Sequence, residues 1–514
     1  MMSEIQELLG AAKIHRESGD GEKLLHVFRQ LQIIQPDERN WKVAAACALG
    51  ELGQVEDALH QIKAVTLTAQ ETTMVAGALV SGGAHEAAAN LLRPILDDDP
   101  FDVEAANKLA AILNQQGKKK EASEILKKLL TEPVENNEAA ARAWFNLGVS
   151  LTDSPEESEE AYYKSLKLFP EYEKPVVNLG LLLTKTGQLQ KAIDFLEPNV
   201  DARVDWPRTA VLLATACRLN NEKAKAIATL NEVVSACEPD SENVELAWEI
   251  LVRCLVENEN HAEAIERCRE WKTQMPSSSI AAHMLAAVEG NDTPSRASEE
   301  YVADTFDSFA ESFDSVLTNL EYQAPQLIGK LVRESLGEPK ANLIVLDAGC
   351  GTGLAGPLLR PFAKELIGVD LSTGMLSQAE SRGIYDSLLK ADLIDHLRNC
   401  ESNYGLIAAA DTFNYFGDLS ELLPACFSTL NDDGWLVFTL EIGETYGESW
   451  ELETHGRYTH PPGYLMEQLG KCGIEGGEMH TAPLRKENGV DVMGLLIAVQ
   501  NPGENTQVSE EHDN

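Results

Sequence analysis

Asn342-Leu343-Ile344-Val345-Leu346-Asp347-Ala348-Gly349-Cys350-Gly351-Thr352-Gly353 decides how this chain folds. Leu343 to Leu346 are four apolar residues in a row, too few for a helix and suited to a strand buried on both faces. The strand runs into glycines at alternate positions, where the backbone can turn sharply and a ligand can approach without meeting a Cβ. The residues Leu354 to Phe362 predict a helix whose N-terminal N–H groups point at the turn. A second apolar strand, Leu366 to Val369, ends in Asp370, 23 positions after Asp347. A strand–helix–strand unit of this length places a carboxylate at the tip of the neighbouring strand, within reach of ribose hydroxyls.

Gly351-x-Gly353-x-x-Gly356 formally satisfies a dinucleotide fingerprint, which alone is weak evidence. Against a pyrophosphate stands Asp347, an acid two residues before the first glycine, which suits an ammonium group better. A ligand with a ribose, an α-amino group and a carboxylate is S-adenosylmethionine. The Val345-to-Gly353 stretch with Gly368-Val369-Asp370-Leu371-Ser372 closely resembles the first two motifs of class I S-adenosylmethionine-dependent methyltransferases. The resemblance implies a cofactor set of Asp347, Gly349, Cys350, Gly351, Gly353, Asp370 and Leu371. A dehydrogenase and a bare structural turn remain the alternatives at this point.

The 514 residues, 44% hydrophobic and 24% charged, describe ordinary globular protein with room for about three domains. A formal net charge of −41 repels phosphate backbones and anionic lipid, so neither nucleic acid nor a membrane surface is an expected partner. The nine cysteines form no CxxC pair and read as reduced thiols of a cytoplasmic protein. Met1-Met2-Ser3-Glu4 leads into a polar helix rather than a signal peptide, and no apolar run suffices to span a bilayer.

The first 290 residues are helical and repetitive. Gly19, Gly53, Gly83, Gly117, Gly187, Asn221 and Glu259 are each followed five positions later by Leu24, Ala58, Ala88, Ala122, Ala192, Ala226 and Ala264, a period near 34; a further turn falls near Asp153-Ser154-Pro155, before Ala161. A left-handed turn residue between two short helices, and a small residue where they pack, make a helical hairpin. The pattern resembles tetratricopeptide repeats, about eight of them, whose superhelix implies a groove for a protein or peptide partner. A spacer or a dimerisation surface is the bland alternative. Trp41, Trp144, Trp206, Trp248 and Trp271 read as packing between helices.

Val288 to Ser295 is turn-rich and ends the repeats. Ser298, before Glu299 and Glu300, is a helix N-cap. The helical text Tyr301 to Asp314 lines up Phe306, Phe309 and Phe313, either as core or as a lid over the cofactor. From Pro294 onward the chain resembles bacterial methyltransferases that carry such repeats, which implies that Tyr301 and Phe309 touch the cofactor. By the same resemblance Asp392 accepts from the adenine amino group and Leu393 lies near the ring, although Asp392 also suits a helix cap. Asp411, at the carboxyl end of the fourth strand, begins Asp411-Thr412-Phe413-Asn414-Tyr415-Phe416, the expected edge of the acceptor site. It is not an Asn/Asp-Pro-Pro-Tyr/Phe motif, so exocyclic base nitrogens lose their usual support. The loop with Tyr446, Trp450, His455, Arg457, Tyr458 and His460 offers His455 or His460 as a general base, with Tyr458, Asn414 and Tyr415 as further catalytic candidates. Their spacing is no metal signature. Lys486-Glu487-Asn488-Gly489 marks a closing antiparallel hairpin, which distinguishes a methyltransferase sheet from a dehydrogenase sheet.

The expected architecture is therefore α plus α/β: an all-α repeat superhelix over 1–290, a Rossmann-like seven-stranded methyltransferase domain over 291–500, and an acidic tail over 501–514. Three functions are compatible: methylation of a small molecule with the repeats docking a partner; methylation of a protein captured by the repeats; and a scaffold that holds S-adenosylmethionine structurally.

Overall fold

Seven of the eight repeat turns have a left-handed residue: Gly19, Gly53, Gly83, Gly117, Gly187, Asn221 and Glu259 carry φ between 61° and 81°. Each small residue five positions on is buried. The turn near Ser154 differs. It has no left-handed residue, and Pro155 opens the next helix at its first turn instead. The structure, a computed structural model, describes all residues other than 1, 37, 64, 203–205, 242, 292, 311–312, 401–402, 444–448, 475, 488–489, 502 and 504–514. Tyr446, the Asn488-Gly489 turn and the acidic tail beyond Gly503 lie outside the described residues.

Contacts divide the chain into two compact units, Met1–Asn220 and Asn221–Asn514. The first is an array of antiparallel helices whose small residues, such as Ala45, Ala76 and Ala106, let neighbouring backbones approach closely. The second begins with helical hairpins of the same kind. In it Trp248 and Trp271 stack with ring centroids 6.4 Å apart and planes 7° from parallel, filling the space between the helices Val244–Glu257 and His261–Gln274. The helix Ser279–Glu289 stops at Gly290, whose φ of 64° is the left-handed cap that releases the chain toward the sheet. Among the described residues, no helix is long and apolar enough to cross a membrane.

Among the described residues the sheet has nine strands: β1 (Leu343–Ala348), β2 (Ala363–Asp370), β3 (Ser387–Lys390), β4 (Tyr404–Ala409), β5 (Leu430–Glu441), β6 (Glu451–Leu452), β7 (Tyr458–Thr459), β8 (Glu478–Glu487) and β9 (Val490–Gln500). The five strands β3-β2-β1-β4-β5 are parallel, β9 adds antiparallel to β5, and β8 pairs with β9. These are the seven strands expected. The two-residue β6 and β7 extend the sheet beyond the end of β5. Parallel register sets Asp347 beside Gly368 of β2 and Ala408 of β4, so the carboxyl ends of three central strands open on one side. Such an edge is where open sheets bind ligands.

Two expected elements come out differently. The helix over Leu354–Phe362 is only the single turn Gly356–Leu359 followed by a 3-10 turn Arg360–Phe362. Pro357 starts it, and Pro361 removes the N–H that would prolong it. The helix from Tyr301 to Asp314 is split into Glu299–Asp307 and Phe313–Asn319. Ser298 caps the first of these through a 3.2 Å bond from Tyr301 N–H.

Candidate active site

A cavity of about 300 Å³ opens at the carboxyl ends of β1, β2 and β4. Its floor is the glycine turn. Gly349 has φ 68°, and a Cβ there would collide with Thr412, whose hydroxyl donates to Ala348 O at 2.8 Å and fastens the fourth strand's loop to the turn. Gly351, at φ 53°, would point a Cβ into open space, the space the cavity occupies. The Gly351 N–H instead donates to Asp370 Oδ2 at 2.9 Å, while Asp370 Oδ1 accepts from Ser372 N–H at 2.8 Å. The Leu371 N–H adds a third backbone bond to this carboxylate, which lines the cavity. Burial raises the Asp370 carboxyl above its ordinary range, against these backbone bonds.

Asp347 is 1% exposed and accepts from Tyr385 O–H at 2.6 Å. Burial pushes it up to about 7, the Tyr385 bond opposes that, and the Asp370 charge adds to it. Cys350, Leu371 and Leu393 also line the cavity. Gly353 does not: its missing Cβ leaves room for Tyr385 behind the turn, so it serves the turn rather than the cavity. Asp392 lines the cavity as both cap and ion-pair partner. Its Oδ1 accepts from Asp395 N–H and its Oδ2 from Arg296, each at 3.0 Å. Arg296 comes from the crossover between the repeat helices and the sheet, and sequence reading did not find it. That crossover is sewn to the cavity wall: Ala297 N–H donates to Tyr415 O, and Ser295 O accepts from Gly417 and Asp418 N–H, all at 2.8 Å.

The roof is aromatic. Phe306, Phe309 and Phe313 all line the cavity, with centroids 5.5–5.9 Å apart, and Phe306 meets Tyr415 edge-on at 5.5 Å. Asp307 accepts from Ser372 O–H and from Gly374 N–H, and these bonds hold its carboxyl below the usual range. Asp314 accepts from Thr352 O–H and pairs with Arg382. The roof is thus tied to the loops on both sides of the turn. Tyr301 is not part of it. It is buried away from the cavity, stacked on His283 with centroids 3.8 Å apart; Phe306, five positions on in the same helix, sits about 140° further round its axis.

At the far end of the cavity lies a buried ionic cluster that sequence reading largely missed. Arg485 Nη1 donates to Asp411 Oδ2 at 2.9 Å, its Nη2 to Glu441 Oε2 at 2.6 Å and its Nε to Glu487 Oε1 at 2.7 Å. Arg457 Nε donates to Glu441 Oε2 at 2.9 Å, and its Nη2 bonds Glu487. Asp411, Arg457, Arg485 and Glu487 line the cavity together with Tyr322 and Tyr415. Burial opposes the Arg485 charge, but Asp411, Glu441 and Glu487 more than offset it. Glu441 is likewise held far below its ordinary range despite burial, by His455 and the two arginines. Asp411 has left-handed backbone, φ 56°, which costs about 1 kcal/mol or more for a residue with a Cβ. An arginine near the end of a strand, next to a hairpin, is the only sign the sequence offered for Arg485.

The remaining catalytic candidates do not reach the cavity. His460 is fully buried, its Nε2 at 3.0 Å from Gly417 O, and burial lowers it to about 4, so it is no base for the acceptor. Tyr458 donates to Pro294 O at 2.8 Å within the crossover contact. Asn414 is buried and positions rather than reacts: its Oδ1 accepts from Glu441 N–H at 2.8 Å and its Nδ2 donates to Asp411. His455 stands behind the cluster, 3.1 Å from Glu441 Oε1. Tyr415 alone of the five lines the cavity.

Residues 320–464 match the family model of a methyltransferase domain, and residues 76–133 that of a tetratricopeptide repeat. Malonyl-[acyl-carrier protein] O-methyltransferase of Yersinia pestis is 29% identical over 213 residues, 41% of this chain and 77% of that protein. Methyltransferase-like protein 27 of Homo sapiens is 39% identical over 84 residues, 16% of this chain and 34% of its own length. Among solved structures, the 1,6-didemethyltoxoflavin-N1-methyltransferase of Burkholderia thailandensis is 18% identical, covering 41% of this chain and 92% of that one, with a TM-score of 0.32.

Proposed function

We propose that this chain, which joins tetratricopeptide repeats to a methyltransferase domain, uses S-adenosylmethionine to methylate an oxygen of a small-molecule acceptor, while the repeats bind a protein partner in the cytoplasm. The repeats are taken to run to about residue 290 and the catalytic domain over 291–500. One observation carries the reading: a single cavity is lined by the glycine turn and Asp370 at one end and by Asp411, Tyr415 and Arg457 at the other. The similarity to O-methyltransferases that act on malonyl groups supports an oxygen acceptor.

The residues present suit this cofactor. The missing Cβ of Gly351 leaves room that a side chain would fill. Asp370, a carboxylate at the tip of β2 that lines the cavity, would take the ribose hydroxyls. Asp347 carries the charge for the ammonium group, and Leu371 and Leu393 flank the place of an adenine ring, with Asp392 beside it. Bound S-adenosylmethionine supplies a methyl group already activated by its sulfonium. The protein's own share is then alignment and exclusion of water. Phe306, Phe309 and Phe313 close the roof, and Tyr415 and Arg457 orient the acceptor. An acceptor that enters as an ionised oxygen needs no base, in keeping with a site whose histidines stand outside it.

Calorimetry with S-adenosylmethionine tests the donor: micromolar binding is expected, lost in Gly351→Arg and weakened at least about tenfold in Asp370→Ala, which removes charge-assisted hydrogen bonds. NADH binding in its place would sink the assignment. Tritiated methyl transfer into cell extract tests the acceptor. Label in the small-molecule fraction is expected, and label confined to protein would overturn that part of the reading.

A further inference from the structure

The helix Glu299–Asp307 has two working faces. Glu299, Val302 and Phe306 follow one another at helical spacing and line the cavity. Tyr301 and Asp304 lie on another face, about 100° or more round the axis from those three. Both of them meet Ser279–Glu289, the last of the hairpin helices. Tyr301 stacks on His283 with ring centroids 3.8 Å apart, and Asp304 Oδ2 accepts from Ser279 O–H at 2.6 Å. Ser279 and His283 are one helical turn apart, so the two contacts pin one face of the roof helix against one face of the hairpin. His283 also reaches a second wall of the cavity. Burial holds it below the usual imidazole range, and as a neutral ring its Nε2–H donates to Gly456 O at 2.9 Å. The next residue, Arg457, lines the far end. Gly456 has φ 86°, and a Cβ there would fall 2.3 Å from the Tyr301 hydroxyl oxygen, so imidazole, phenol and glycine leave one another no room to slip. One hairpin side chain thus bears on both the roof and the far wall.

We propose that His283 is a positioning residue of the active site supplied by the helical hairpins, and that through it donor binding orders the hairpin 261–289, while a protein that engages this hairpin changes donor affinity by the same factor. A ligand in the cavity fixes Phe306 and with it the helix Glu299–Asp307. The Tyr301 face of that helix is then fixed too, and His283 has one place to stack. Close-packed side chains pass such a constraint on because few intermediate arrangements are open to them. The effect runs equally in both directions, since a coupling free energy between two binding events is shared by them. This rests on the donor assignment above and adds to it a route from the hairpins to the site that the assignment alone does not require.

The test is hydrogen exchange of the full chain with and without saturating S-adenosylmethionine. On binding, backbone amides of Ser279–Glu289 should exchange about fivefold or more slowly, together with those of Glu299–Asp307 and of the glycine turn. Amides of the earlier hairpin helix Lys223–Ala236 should be unchanged. In His283→Ala the response of Ser279–Glu289 should vanish while that of the turn persists. Ser279→Ala removes one exposed bond and keeps the ring stack, so it should reduce the response in part, and it decides the matter if His283→Ala does not fold. A slowed turn beside an unchanged Ser279–Glu289, or a full response in the variants, overturns the coupling and leaves the donor assignment intact. Equal slowing of Lys223–Ala236 also overturns the coupling, because binding would then only stabilise the whole unit. Absence of any slowing at the turn overturns the donor assignment itself.

Discussion

Asp347 is ionisable, 1% exposed and aimed at the place where a ligand charge would sit. Burial raises its folded pKa to about 7, above an unfolded value near 4. The sign follows from which state holds the proton. Between those two values the folded protein keeps it and the unfolded chain does not, so stability is fully present below about pH 4 and is lost as pH rises through about 7. Thermal unfolding of the ligand-free protein should therefore show a melting temperature that falls across this window, and Asp347→Asn should flatten the fall. A variant that leaves the slope unchanged would mean that Asp347 stays ionised in the folded protein. His460 acts with the opposite sense, since burial lowers it to about 4 and its stability contribution is lost as pH falls from about 6.5 toward that value.

Among the elements, the ends of β4 and β5, the loop before β7 and the end of β8 share no stretch of sequence, yet Arg485 and Arg457 bind all four together. Removing one member of such a buried network leaves the others uncompensated, which costs about 3–5 kcal/mol. Arg485→Met should destabilise the unit Asn221–Asn514 by that order in urea unfolding. It should also release Asp411 from its left-handed conformation. The same elements show which parts of the site the sequence could disclose. The turn was legible because glycine at Gly349 and Gly351 and an acid at a strand tip are local necessities, each tied to its neighbours along the chain. The repeat period was legible for the same reason. Arg485 was not, because two of its three carboxylate partners lie 44 and 74 positions away, and Glu487 nearby does not by itself demand an arginine there. Tyr301 went astray in a different way: helical spacing grouped it with Phe309, but the helix Glu299–Asp307 ends before Phe309, and no glycine or proline marks that end.

In the molecule as a whole, the hairpins after Asn221 belong to the same unit as the sheet. His283, on the last of their helices, is buried against Tyr301 and lies 2.9 Å from Gly456 O, one residue before Arg457. Cutting at 290 therefore strips a ring from Tyr301 and support from the loop that carries Arg457. A fragment of residues 221–514 should unfold in one cooperative transition and bind S-adenosylmethionine as the full chain does. A fragment of 291–514 should melt at lower temperature and bind more weakly. Equal stability of the two would show that the hairpins contribute nothing to the sheet.

The crossover Pro294–Ala297 meets the wall residues Tyr415 to Asp418 through a few bonds arranged one after another. Bonds met in sequence break singly under tension, whereas those between long strands resist together. Load applied at residue 291 would peel this short segment first and lift Arg296 from Asp392 as it goes. A tethered molecule drawn from 291 and 500 should lengthen by a small discrete step at low force before the sheet yields, and that step is the adenine side of the cavity coming open.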